Sequence, residues 1–310
     1  MKGNLCILIA GVMLMMLTTT VPAVAQTRTF DLRPQFEEGR TARYSVWTVR
    51  RQDITLAIGD QRRAVSIQYE VDGEMTWKVD SVNDDGSATC TMTYDWLTFT
   101  LTNSEGTKQV NDSRRSSGDS EAIHDVITSV AGQPLQVQMN ADGSARSISG
   151  VDAVRARADD PDRMPEERDF LETASDLATV PFVPDAVVLK DTWHAKFSWG
   201  HEMGTLHHDT TFTFTGIESL AGIPIASVRG EGKLKLEPDY SKVPKDAPKM
   251  TVTLEDGKVQ HQILMDLVRH EAVGRNVMQQ LVIRIETEGS ELTRIMKETI
   301  QSQAMRIEEE

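Results

Sequence analysis

Cysteine is nearly missing from this chain: there are two among 310 residues, Cys6 and Cys90. Cys6 lies at the start of an apolar run, Leu5 to Leu17, that follows Lys2 and precedes the small-x-small triplet Ala23-Val24-Ala25. This is the layout of a secretory signal, and the run is too short to span a membrane as a helix. Residues 1–25 are therefore expected to be removed. Cys6 stands at the wrong end of the run for a lipid-anchored cysteine. Cys90 then remains alone, no intramolecular disulfide can form, and the fold must be held by its core. The remainder of the chain is long enough to bury one.

Long apolar runs are also missing after residue 25, so no transmembrane helix is expected and the mature chain should be soluble, exported to a periplasmic or extracellular space. Basic residues are in deficit, 33 Lys and Arg against 47 Asp and Glu, for a formal net charge of -14. That balance argues against nucleic acid or an anionic membrane as the main partner.

Catalytic signatures are missing too. There is no Gly-x-Ser-x-Gly elbow, phosphate-binding glycine loop, dinucleotide fingerprint or EF-hand loop. The pairs Asp84-Asp85 and Asp159-Asp160 sit in turn or linker contexts, where solvation explains them better than glycosidase chemistry. Cys90 lies mid-strand on the inward parity, the setting of an inert thiol. The expectation is a protein that is not an enzyme and uses no cofactor. Four of the seven histidines fall in WHAKFSWGHEMGTLHHDT. Read as a hairpin with its loop over residues 200–205, this stretch pairs Trp199 with Leu206 and Phe197 with His208. His208 then faces inward, and His194 and His207 face out. Adjacent His207 and His208 leave a strand on opposite faces, so a metal site would need His201 to fold back beside Glu202 and His207. A packed core histidine is the better account.

What the chain does have is alternation. In SIQYEVDGEMTWKVDSV, residues 66–82, an Asp-Gly pair interrupts two alternating runs, normally a strong hairpin signal. Yet Ile67, Tyr69, Val71, Met75, Trp77 and Val79 all keep one parity across it. A hairpin at Asp72-Gly73 would set every apolar residue against a polar one, so the strand is expected to continue. With the turn at Asn83-Asp84-Asp85-Gly86, Val82 pairs with Ser87, Val79 with Cys90, Trp77 with Met92 and Met75 with Tyr94. The partner changes parity between Trp96 and Leu97, predicting a β-bulge opposite Gly73. At Asp256-Gly257, by contrast, the hairpin reading is self-consistent.

Further strands are expected near 41–50, 107–111, 192–199, 206–217, 223–236, 249–255, 258–268 and 275–287. Helices are expected at about 120–131, with Ile123, Ile127 and Val130 on one face, and from Pro165, with Phe170, Leu171, Ala174 and Leu177 inward. Residues 290–307 read as strand, with helix as the alternative. The fold class is mainly β: long, curved antiparallel sheets or a partial barrel with two or three short helices. Short matches such as ARYS with AKFS raise an internal duplication as a further expectation. The divisions are 1–25 signal peptide, 26–158 first β-rich half, 159–180 charged connector and helix, and 181–310 second β-rich half.

The signal peptide, GQPLQVQMNADGSARSISG (132–150) and PDAVVLKDTW (184–193) together resemble a family of exported bacterial proteins of unknown function found in planctomycete-type genomes. That family usually has Gly where this chain has Lys190. The resemblance implies an extracytoplasmic β-rich protein and carries no catalytic residues.

The expected function is binding of a lipid, hydrophobic peptide or envelope component on a concave apolar sheet face, with Trp77, Met92, Tyr94, Trp96 and Phe99 as its lining. The alternative is a structural or assembly module that binds a protein partner through a sheet edge.

Overall fold

A computed structural model describes residues 28–178, 181–241 and 248–307; the expected signal at 1–25 lies outside them. Among the described residues, twelve strands form one antiparallel, curved sheet that does not close. They are β1 Thr41–Ile58, β2 Gln61–Val82, β3 Ala88–Thr102, β4 Lys108–Asp112, β5 Pro134–Met139, β6 Ala145–Ser149, β7 Thr192–His201, β8 Gly204–Leu220, β9 Ile223–Pro238, β10 Met250–Asp266, β11 Glu271–Thr287 and β12 Leu292–Ile307. The order across the sheet is β6-β5-β3-β2-β1-β12-β11-β10-β9-β8-β7, with β4 beside β3. The helices α1 Glu121–Val130, α2 Val151–Arg155 and α3 Glu167–Ala178 interrupt the strands between β4 and β7. The fold class read from the sequence is the one observed, and residues 292–307 are strand.

The alternation at residues 66–82 produces one strand, as its unbroken parity requires. Val79 pairs with Cys90, Trp77 with Met92 and Met75 with Tyr94. The bulge falls at Asp95, two residues before the expected junction, because Glu74 pairs with Trp96 while Met75 pairs with Tyr94. Any position between Tyr94 and Leu97 would reconcile the two parities; only the backbone chooses one. A second irregularity at Asp80 moves the partner of Val82 from Ser87 to Ala88. At Gly73 the paired strands leave no room for a side chain: a β-carbon there would stand 2.5 Å from the Trp96 carbonyl oxygen. Its φ is not positive, so glycine is needed for space and not for a turn.

The hairpin expected at Asp256-Gly257 does not form. β10 runs straight through, with Leu254 opposite Ile283 and Asp256 opposite Val282. A bulge at Glu255 changes parity just as a two-residue turn would, which is why the pattern was consistent with both. Gly257 lacks the positive φ of a tight primed turn. It is small because a β-carbon would meet Leu254 at 2.8 Å and Leu234 at 2.9 Å. True turns occur at Asn83-Asp84-Asp85-Gly86 and Asn140-Ala141-Asp142-Gly143, whose glycines have φ of 80° and 82°. In both, the Asp side chain accepts the backbone N–H of the following serine at 2.9 Å.

The helices lie on the inner face. Ile127 and Val130 of α1 and Phe170, Ala174 and Leu177 of α3 bury with Met75, Trp77, Cys90 and Met92 in one cluster. The larger of these, Ile127, Val130, Phe170, Leu177, Met75 and Met92, each contribute about 1.5–3 kcal/mol when fully covered. α3 reaches from β6 on one side to β7 and β11 on the other, so it spans the hollow of the curved sheet. Two further clusters fill the other arm, one around Phe212, Phe214 and Ile263 and one around Leu206, Val277 and Ile283.

Candidate functional site

The residues expected to line an apolar face divide. Trp77 and Met92 are buried in the cluster beneath the helices. Tyr94 and Phe99 pack against that cluster while partly buried. Burial raises the Tyr94 hydroxyl, and a hydrogen bond with Thr173 of α3 opposes the rise. Trp96 is on the other side of the sheet, turned outward by the bulge at Asp95, with the Arg114 guanidinium 4.0 Å from its ring centre. The inner face over β2 and β3 is thus filled by helices at Trp77 and Met92.

Open space lies farther along, where α3 leaves the sheet. One cleft of about 270 Å³ is walled by Leu171, Pro181, Phe182, Phe197, Trp199 and Arg275 among others. A second, also about 270 Å³, runs between α3 and the inner faces of β1, β11 and β12, past Val46, Leu177, Leu206, Val277, Ile300 and Ala304. The two adjoin, sharing Glu172, Trp199 and Arg275. The exposed Phe182 stands at the rim of the first cleft. Its aromatic wall comes from the inward parity of β7, as the hairpin reading required: Phe197 pairs with His208 and Trp199 with Leu206. The loop between these strands is shorter than expected, since His201 already pairs with Gly204.

At that short turn the β7–β8 tip reaches back across the hollow to β1 and β12. His201 Nε2 is 2.8 Å from Glu298 Oε2. Arg50 also pairs with Glu298, and its other arm meets Glu202 at 3.0 Å. Gln52 bridges Glu298 and Glu202 at 3.1 and 3.2 Å. Among the described residues no backbone ladder closes the sheet here, but side chains do. Burial alone would raise the Glu298 carboxyl. The His201 hydrogen bond and the Arg50 charge outweigh it and bring the pKa down to about 2.

His201, Glu202 and His207 do not converge on one point. His201 and Glu202 serve the Glu298 latch, while His207 bonds Ser198 and Glu237 near the surface. Among the described residues no group of three His, Cys, Asp or Glu is placed to hold a metal ion. His208 is buried as the parity required, 1% exposed, stacked on Phe197 with ring centres 4.6 Å apart. His261 lies 6.2 Å from it. Burial, aided by the charge of Arg275, lowers the two imidazoles to about 3 and about 2, so both are neutral. Burial pushes the Cys90 thiol up to about 12, which makes it a poor nucleophile.

The sequence reading missed the latch. Arg50 and Gln52 fall where β1 was expected to end, and Glu298 sits in the ambiguous tail. The signal was a charged residue on the apolar parity of Met296, Glu298 and Ile300.

Comparison with known proteins adds little about activity. Residues 85–169 match a family of unknown function (DUF6263). No curated protein matches the chain. Among solved structures, it overlaps DynF from the dynemicin biosynthesis pathway of Micromonospora chersina at 10% identity, covering 92% of this chain and 89% of that one, with a TM-score of 0.18. A DUF1329 family protein from Desulfovibrio piger overlaps at 9% identity, 84% of both chains and a TM-score of 0.13. Pseudomonas aeruginosa OpdL overlaps at 8% identity, 86% of this chain and 99% of that one, with a TM-score of 0.23. Overlaps this slight establish neither a shared fold nor a shared activity.

Proposed function

We propose that this is an exported, non-enzymatic binding protein that holds an apolar small molecule, a lipid or hydrophobic peptide, in the adjoining clefts under α3. One observation carries the reading: two clefts of about 270 Å³ each meet at Trp199 beside mainly apolar walls. Together they approach the size usual for small-molecule sites, which combine such walls with a few polar groups that fix orientation. Here Arg275 and Glu172 supply those groups. The test is native mass spectrometry of protein purified without detergent, together with displacement of a fluorescent fatty acid. Bound mass, and dye affinity lowered about tenfold or more by Trp199→Ala, are expected from the loss of a large aromatic contact. An unliganded mass with no dye response would overturn the reading.

The second reading, an assembly module, draws on β7, which ends the sheet with no partner strand on its outer edge among the described residues. Such an edge can accept a strand from another chain. It predicts self-association or a co-purifying polypeptide in sedimentation experiments, where the cleft reading predicts a monomer with a small ligand.

A further inference from the structure

The outer face of the sheet carries a band without charge. The chain has 33 basic and 47 acidic residues, yet four adjacent strands, β1, β12, β11 and β10, present none in two neighbouring rows. In one row Trp47 pairs with Gln303, Gln303 with Asn276 and Asn276 with Gln262. In the next, Val49 pairs with Gln301, Gln301 with Met278 and Met278 with Gln260. Charge resumes on both sides, at Asp72 and Glu70 of β2 and at Arg229 and Glu231 of β9. The β10–β11 end of the band is hollowed into a depression of about 320 Å³ lined by Gln260, Gln262, Asn276, Met278 and Gln301, with Arg229 and Glu231 of β9 at its edge.

We infer that this face binds an extended glycan of neutral pyranose units lying across the strands. Three features match that ligand. Each amide offers both donors and an acceptor, which is what hydroxyl groups, themselves both donor and acceptor, require. The side chains repeat at the strand spacing, about 4.8 Å, close to the length one pyranose adds to an extended chain, so successive strands meet successive sugars. Trp47, held by a 3.0 Å bond from its Nε1–H to Glu70, offers ring surface at one end of the row. The two rows hold no cationic side chain, and Arg229 at the edge of the depression is matched by the acidic Glu231, a balance that does not favour a polyanion. This inference does not depend on the cleft beneath α3, which lies on the opposite face.

The test is retention of the mature chain on insoluble cellulose and chitin, with affinity electrophoresis in soluble hydroxyethylcellulose. Two double variants are compared. Gln303→Glu with Gln262→Glu adds charge to the band, and Gln303→Ser with Gln262→Ser removes the amides without adding any. Retention of the wild type is expected, weakened about tenfold or more in both double variants through the lost hydrogen bonds. The thermal midpoint and dye binding in the inner cleft should be unchanged. Passage of the wild type through both matrices, or variants retained as well as the wild type, would overturn the inference.

Discussion

Glu298 of β12 accepts a hydrogen bond from the imidazole of His201, at the end of β7, across 2.8 Å, although four strands of the sheet lie between β12 and β7. The Glu298 side chain is fully buried and shared with Arg50 and Gln52. Removing it as Glu298→Ala leaves buried donors without their acceptor. Loss of one partner from such a group costs about 3–5 kcal/mol. Urea denaturation should show that loss, and a cost below about 1 kcal/mol would mean the latch is not closed in solution.

Two acid transitions should be separable. The Glu298 carboxyl takes up its proton near 4.5 when unfolded and near 2 when folded. Its contribution is therefore complete above pH 4.5 and lost as pH falls from there toward 2. The buried His208 and His261 act at higher pH. Unfolded, they bind a proton near 6.5; folded, only near 3 and 2. The unfolded chain then holds more protons below 6.5, and stability falls with acidity by up to about 1.4 kcal/mol per pH unit for each histidine. Thermal midpoints between pH 7.5 and 5 should drop in the wild type and drop less in His208→Gln. Parallel curves for the two proteins would exclude the histidines as the cause.

Gly73 and Gly216 make a matched pair. Alanine at 73 would press on the Trp96 carbonyl, whereas a β-carbon at 216 meets nothing within 4 Å. Neither residue has positive φ. Gly73→Ala should destabilise by about 1–3 kcal/mol. Gly216→Ala should be neutral or stabilise by up to about 1 kcal/mol. Equal effects in chemical denaturation would refute the close approach of β2 and β3.

Lys190 occupies left-handed backbone, φ 76°, just before β7. A side chain there costs about 1–2 kcal/mol, partly offset by the greater unfolded freedom of glycine. Lys190→Gly should raise stability by about 0.5–1 kcal/mol, and a lowered melting temperature would contradict the assigned backbone.

Much of the architecture was legible because side-chain period and burial are tied together in a half-buried sheet. Trp77 opposite Met92 and Phe197 opposite His208 follow from parity alone. Parity cannot say how a phase change is made, so the bulge at Glu255 passed for a turn and the one at Asp95 was misplaced, carrying Trp96 to the wrong face. The clefts were less legible still. Their walls join Leu171 on α3, Trp199 on β7 and Ile300 on β12, segments brought together only by the curvature of the whole sheet. Residues gathered by curvature share no local period, and the apolar residues that do, Trp77 and Met92, are consumed by the core.

β1 lies between β2 and β12, so the centre of the sheet is a seam between early and late parts of the polypeptide. A chain delivered from its amino end, whether by a ribosome or through a translocation pore, leaves β1 with one bare rim until residues 292–307 arrive. Strand β12 enters the middle of the sheet like a keystone, and pairing across that seam must wait for it.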